Sequence, residues 1–481
     1  MSIARMLPIC RASRSTAAGW TLCLLASLAL TGCCGSGSSG SAPSSDSGSA
    51  PPTVSASQPC SDCGTAMVSL TDEPGDFVSY IVNVDSLTLT RADGTVVQTV
   101  PVTTQVDFAQ LVDLSEIVSA DQIPAGRYVS AALTIDYTGA TIVVDTGSGD
   151  VTIPPADILD STTGQPLTGP VTLTLSLSSD DQLVITSRTV SSLALDFNLL
   201  ASDTVNLTAN PITVDVDPVL TASLAPDATK QIHVRGPLVS VSTADSNYVI
   251  GVRPFLDASN TTGQLTVATT SSTTYLINGQ SYTGSAGLTQ LATLSAGTLT
   301  SSYGTWDRTA GTFTATQVLV GPQAQGTATN CAQGTVLARS GNTFTLGNGF
   351  VFRPLSQQAM GSQQSMGATL GFQRQVTVTV GSGTSVAEEG QAGSFTASDI
   401  SVGQKLWVSG TPGTDSSGNP TLDATAGTAL LMPTSGVGLL TATATGSATV
   451  TLQQLGNVAA SKLTFAGTGA TSQQDASAAS Y

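Results

Sequence analysis

An all-β fold is predicted by three observations. Short runs that alternate apolar and polar side chains recur from Ala66 onward, the period at which a strand buries one face. Turn-forming residues separate them, as in Pro74-Gly75, Asp93-Gly94 and Pro124-Ala125-Gly126. After Pro226 a strand pattern begins that returns about a hundred residues later, which points to tandem domains rather than stacked solenoid units.

The first body runs over 65–225. Residues 66–70 alternate as a strand, and 71–76 (Thr-Asp-Glu-Pro-Gly-Asp) make a turn. In 80–90, Val82, Val84, Leu87 and Leu89 face a core, and Asp93-Gly94 closes a hairpin. A short helix is expected over 108–118, where Leu and carboxylates mix. Ile123-Pro124-Ala125-Gly126-Arg127-Tyr128 is a turn, followed by strands at 129–137, 141–144, 171–177 and 183–186. Many short strands with frequent turns describe a β-sandwich.

The second body, 230–322, opens with Val234-Arg235-Gly236-Pro237-Leu238 and carries Asn247-Tyr248-Val249-Ile250, Arg253-Pro254 and Gln264-Leu265-Thr266-Val267. The third, 331–433, repeats this with Gln333-Gly334-Thr335-Val336-Leu337, Asn342-Thr343-Phe344-Thr345-Leu346, Arg353-Pro354 and Gln375-Val376-Thr377-Val378. Each copy ends in a strand, at 313–320 and 422–431. About six short strands with glycine at the bends suit a small barrel, such as an OB-like one. A truncated third start, Val437-Gly438-Leu439-Leu440 and then Ala448-Thr449-Val450-Thr451-Leu452, opens a tail over 434–481.

The chain begins with a secretory pattern. Arg5, Arg11 and Arg14 precede the apolar run 20–30, which is short of the roughly 20 residues a spanning helix needs. Leu30-Thr31-Gly32-Cys33 follows and resembles the lipobox of bacterial lipoproteins, in which the cysteine thiol is alkylated with diacylglycerol and the chain is cleaved before it. The expectation is a signal peptide over 1–32, lipidation of Cys33, and a Gly/Ser/Pro tether over 33–64. Cys34 in the second mature position, rather than Asp, favours the outer membrane under the Gram-negative sorting rule. Partners are then the membrane through the lipid, and a protein or glycan ligand.

Charge narrows the function classes. The chain has 15 Lys and Arg against 32 Asp and Glu, a formal net charge of −17. Removing residues 1–32 takes three arginines and no acid, leaving −20. Such a surface is unsuited to nucleic acid, even on an OB-like barrel, because phosphate binding needs clustered cations.

Few residues carry a chemical pattern. Cys60-Ser61-Asp62-Cys63 fits a local disulfide outside the cytoplasm; a redox site would want a helix N-terminus, and zinc a second ligand pair. The sequence assigns no pairing to Cys34 or Cys331. Asp72, Glu73 and Asp76 share one turn: Asp72 and Asp76 either hold a hard cation or bond backbone to fix the turn. Asp215 and Asp217 flank Val216 and read as a solvated edge strand. Any serine–histidine arrangement must use His233, the one histidine, which is expected at the surface of a domain junction. Trp407 reads as core, and Trp306 as a loop residue able to contact a ligand. No catalytic residue, metal or cofactor is assigned, so a non-catalytic binding or structural lipoprotein is expected. A carbohydrate- or peptide-binding accessory protein is the alternative, and a secreted hydrolase the third.

Two resemblances accompany these readings. Val68-Ser69-Leu70-Thr71-Asp72-Glu73-Pro74-Gly75-Asp76, Ile123-Pro124-Ala125-Gly126-Arg127-Tyr128, Leu195-Asp196-Phe197 and Asn210-Pro211-Ile212 resemble domain-of-unknown-function family 4382, over about 65–225. That resemblance implies a transthyretin-like sandwich in a bacterial lipoprotein, and no activity. The barrel pattern Gly-x-Val, Asn-x-aromatic and Val-Gly-x-x-Leu-x-Val-x-Gly is similar to domain-of-unknown-function family 5666, found in exported bacterial proteins; the first copy departs from it after Leu299.

Overall fold

The structure is a computed structural model that describes residues 53–55, 62–73, 77–112, 114–146, 150–178, 182–253, 260–321, 324, 330–353, 369–389, 394–445, 447–456 and 458–465, with backbone alone for 53–55, 348–353 and 369–374. It is an all-β protein.

The first body has a small three-stranded sheet and two large ones that form a sandwich. In one, the long strands Phe77–Arg91 and Gly126–Asp145 lie antiparallel, with Leu87 opposite Leu133 and Leu89 opposite Ala131. The turn at Asp93-Gly94 joins Phe77–Arg91 to Val96–Val100, as expected. Alternation decides the faces: in Pro170–Ser176, Val171, Leu173 and Leu175 are buried while Thr172 and Thr174 are exposed. In the other sheet, Cys63–Thr71 lies between Val190–Phe197 (parallel) and Leu114–Pro124 (antiparallel). Leu70, Tyr80, Leu87, Leu133 and Phe197 from both sheets share one core with Phe108, a sandwich.

The expected helix at 108–118 is not formed. Phe108–Gln110 is a single 3-10 turn, and Leu114–Pro124 is a strand. This strand has a neighbour on each side, Cys63–Thr71 and Gln231–Ser242, and Ser115 to Ala120 are all buried. A strand covered on both faces loses its period-two signature. Asp215 is also misread as edge. Thr213–Val216 is the middle strand of a three-stranded sheet, between Asp203–Asn206 and Ile158–Asp160.

Leu114–Pro124 carries its sheet into the second body. It pairs in parallel with Gln231–Ser242, placing Glu116 beside His233. That strand opens a closed five-stranded barrel with Asn247–Gly251, Gln264–Ala268, Leu299–Asp307 and Thr312–Val320. The pairing order is one-two-three-five-four-one, and strands three and five close it in parallel, with Val267 opposite Phe313. This is the OB arrangement. Between strands three and four lie a hairpin, Thr274–Ile277 with Gln280–Thr283, and the helix Gly284–Leu291, which seats Leu288 and Leu291 in the barrel core. A Cβ on Gly287 would collide with the Tyr275 ring, so this close seating needs glycine. At the bend of strand one, a Cβ on Gly236 would meet the Gly251 carbonyl.

The third body repeats the order with Cys331–Ser340, Thr343–Arg353, Thr369–Thr379, Lys405–Thr414 and Pro420–Met432. Its closure is again parallel, Val378 opposite Leu422, and Ser385–Glu388 lies on strand five as Thr274–Ile277 does in the first barrel. Trp407 is buried as expected, packed with Tyr303, Leu319 and Cys331 between the barrels. The tail then forms the hairpin Gly436–Ala444 with Ser447–Leu455. Among the described residues, no helix is long and apolar enough to cross a membrane.

Candidate functional site

Register alone assembles the densest polar cluster. On Gln231–Ser242, His233 and Arg235 are two apart and share a face. The antiparallel neighbour Leu299–Asp307 sets Tyr303 opposite His233 and Ser301 opposite Arg235. The sandwich strand sets Glu116 beside His233 from the other side.

The cluster is tightly joined. Glu116 accepts from Arg235 Nε at 2.6 Å on Oε1, and its Oε2 lies 2.5 Å from His233 Nδ1. Ser301 Oγ bonds His233 Nε2. The Tyr303 ring stacks on the imidazole, with centroids 4.5 Å apart. Burial pushes the Glu116 carboxyl up, but Arg235 and His233 outweigh it and hold it at about 2. Burial lowers the His233 imidazole, with Glu116 pulling the other way. A neutral imidazole that donates from Nδ1 to Glu116 accepts at Nε2 from the Ser301 hydroxyl, the connectivity of a serine–histidine–acid triad.

Accessibility decides what this connectivity can do. His233, Glu116 and Ser301 are each 0% exposed, and Arg235 is 6% exposed. The expectation of a surface histidine is therefore corrected: His233 is at the domain junction, but sealed within it. The junction is the reason, because three strands from two bodies meet over the imidazole. The cluster can hold sandwich and barrel together; a substrate has no route to Ser301 in this arrangement.

A second feature lies between the barrels. A cleft of about 260 Å³ is lined by Thr274, Tyr282 and Gln317 from the first barrel and by Glu388, Ser394 and Phe395 from the second. Gln317 Nε2 donates to the Glu388 carbonyl at 2.8 Å and ties the two walls. Burial, then Asp399, raises the Glu388 carboxyl. Beside it, burial pushes Glu389 up to about 8, with Lys405 opposing. Aromatic rings, hydroxyls and an amide around a concave space can take a neutral, hydroxyl-rich ligand.

The other predicted residues are dispersed. Cys33, Cys34, Cys60 and Asp76 lie outside the described residues. Cys63 is disulfide-bonded at the start of its strand. Asp72 bonds backbone, as one of its two readings expected, but that of Leu199, whose N–H donates to Oδ1 at 3.0 Å. Burial raises its carboxyl to about 9, with Asp196 adding to the rise. Among the described residues, no group of three or more His, Cys, Asp or Glu is placed to hold a metal ion. Trp306 is on the strand Leu299–Asp307, not in a loop; it is half-buried against the barrel core and away from the cleft lining. Cys331 is buried between the barrels.

Sequence reasoning missed Glu116, Arg235, Ser301 and the cleft. A signal for the first two existed: a charged residue inside a Val/Ile-rich strand requires a buried opposite charge. The cleft had none, because its walls come from different barrels, with even Gln317 and Glu388 71 positions apart.

Residues 63–219 match the family model for the domain of unknown function DUF4382. The match spans the sandwich, less than half of the chain. No curated protein and no solved structure matches the chain.

Proposed function

We propose that this chain is an envelope lipoprotein, anchored through Cys33 at the outer membrane, whose folded part is a non-catalytic scaffold for binding or assembly. The observation that carries the non-catalytic part is the complete burial of His233, Glu116 and Ser301 in a joint between two bodies. The one histidine serves cohesion there. Anchoring is supported by the order of arginines, apolar run and Leu30-Thr31-Gly32-Cys33, and by the Gly/Ser/Pro stretch that follows. The likeness of the barrels to family 5666 belongs to the same reading, since that family occurs in exported proteins. Mass spectrometry of the membrane fraction tests it: an acylated N-terminal cysteine is expected, and Cys33→Ser abolishes it. An unmodified full-length polypeptide in the cytosol would overturn the proposal.

A second reading, an accessory protein for a carbohydrate or peptide ligand, is favoured by the cleft with its Tyr282 and Phe395 rings. Glycan and peptide arrays test it. Binding lost in Tyr282→Ala and Phe395→Ala but kept in Trp306→Ala places the ligand in the cleft; the reverse pattern places it at Trp306. Hydrolysis of an ester or glycoside that disappears in His233→Ala would replace both readings.

A further inference from the structure

The tail hairpin is anchored at one end only. Leu455, Val458 and Leu463 join the core of the second barrel, and Thr335 Oγ1 donates to the Gly456 carbonyl at 2.9 Å. Beyond that base, every residue of Gly436–Ala444 is exposed. Val437 is 52% exposed, Leu439 62%, Leu440 57% and Val450 50%. Leu440 and Val450 are register partners and share one face, while Leu439 projects from the other. Both faces thus present large apolar side chains to water. A two-stranded hairpin with neither face covered is marginal at best.

Edge strands are normally kept apart by charge or proline. Gly436–Ala444 carries neither, and its pairing with Ser447–Leu455 is irregular only at Val437/Gly438 and Leu440/Ala442. Residues 424–461 contain no Asp, Glu, Lys or Arg, in a chain of net charge −17. Among the described residues, the outer edge of Gly436–Ala444 pairs with no strand, whereas that of Ser447–Leu455 is partly occupied by Val458–Ala459. Two copies of so acidic a chain repel over most of their surface; this neutral, apolar edge is where the repulsion is least. A strand that pairs with its own copy about a two-fold axis runs antiparallel and is complementary to itself.

We propose that two copies of this chain associate through the outer edges of Gly436–Ala444, forming a four-stranded antiparallel sheet across a two-fold axis. The pairing joins the free main-chain groups of the two edges and brings the Leu439 and Leu440 side chains of both copies together across the axis. A second copy fits this surface better than an acidic or basic partner does, since the hairpin offers no charge to recognise one.

Sedimentation equilibrium on the full chain, in density-matched detergent, tests the proposal. A two-copy mass is expected that falls to one copy on dilution. Leu440→Lys sets like charges near the axis and is expected to weaken association at least about tenfold. Because this substitution could also loosen the hairpin, amide hydrogen exchange on the unaltered chain is the second measurement. The amides of Gly436–Ala444 are expected to be protected at high concentration and to lose protection on dilution. A one-copy mass at every concentration would overturn the proposal. So would association unchanged by Leu440→Lys, or protection of that edge that does not depend on concentration, which would mean the same chain covers it.

Discussion

Arg235→Met isolates the joint between sandwich and barrel. The substitution roughly keeps side-chain volume and removes the guanidinium that donates to Glu116 at 2.6 Å. A fully buried carboxylate is then left with His233 alone, and breaking a buried pair from one side costs about 3–5 kcal/mol. Sign and pH window follow from Glu116. Its folded value of about 2 lies below the ordinary 4.5, so its contribution is complete above 4.5 and is lost as pH falls toward 2. That difference corresponds to about 3 kcal/mol. Without Arg235, burial dominates, the carboxyl rises, and acid opens the joint at a higher pH. Global unfolding of three bodies need not be two-state. The assay is therefore hydrogen exchange at the paired segments, residues 114–116 and 231–233, across a pH series. Glu116→Gln in the Arg235→Met background removes the stranded charge and is expected to recover a large part of the loss, a coupling of more than about 1 kcal/mol. Simple additivity of the two changes, or joint exchange altered by less than about 1 kcal/mol in Arg235→Met, would refute the account of the joint as a charge-held contact.

Three further outcomes are expected. Burial raises Asp72 to about 9, Glu389 to about 8, Asp121 to about 7 and Asp196 to about 6, so what each contributes to folding is complete below its ordinary value of 3.8 or 4.5 and is lost as pH rises from there to the raised value; Glu116 and the lowered His233 favour folding less as pH falls below 4.5 and 6.5. Above pH 4.5 the four raised acids outweigh His233, so thermal unfolding should show highest stability at about pH 4 to 4.5 and a fall above it, and a maximum above pH 8 contradicts the assignment. Asp72→Asn keeps an acceptor for the Leu199 N–H and replaces an acid that is already neutral, so its cost at pH 7 should be under about 1 kcal/mol, with no change in any calcium response. Leu291→Ala empties a fully buried position where the helix Gly284–Leu291 closes its barrel and should cost about 2–5 kcal/mol by denaturant titration, whereas an effect near zero would mean the helix is not seated there.

Strand patterning was legible wherever a strand buries one face. Pro170–Ser176 and Phe77–Arg91 announced themselves by alternation, Asp93-Gly94 by turn chemistry, and the two barrels by their repetition. Leu114–Pro124 was not legible as a strand, because packing on both faces erases the period, and its glutamate imitated a helix. The helix Gly284–Leu291 was missed for the converse reason: its glycines weaken helix propensity, while the need for Gly287 comes from a tyrosine packed against it.

The order of residues by itself determined the all-β class, the repeated barrels and the acidic balance, since each depends on local period or composition along the chain. Only the tertiary structure decided that His233 is sealed rather than exposed, that Glu116 and Arg235 are its partners, and that a cleft opens between the barrels. These depend on registers between strands far apart in sequence: a parallel pairing that sets residue 116 beside 233, and an antiparallel one that sets 301 beside 235. A one-residue slip in either would turn those side chains to the opposite face, and nothing in the local pattern encodes which register is taken.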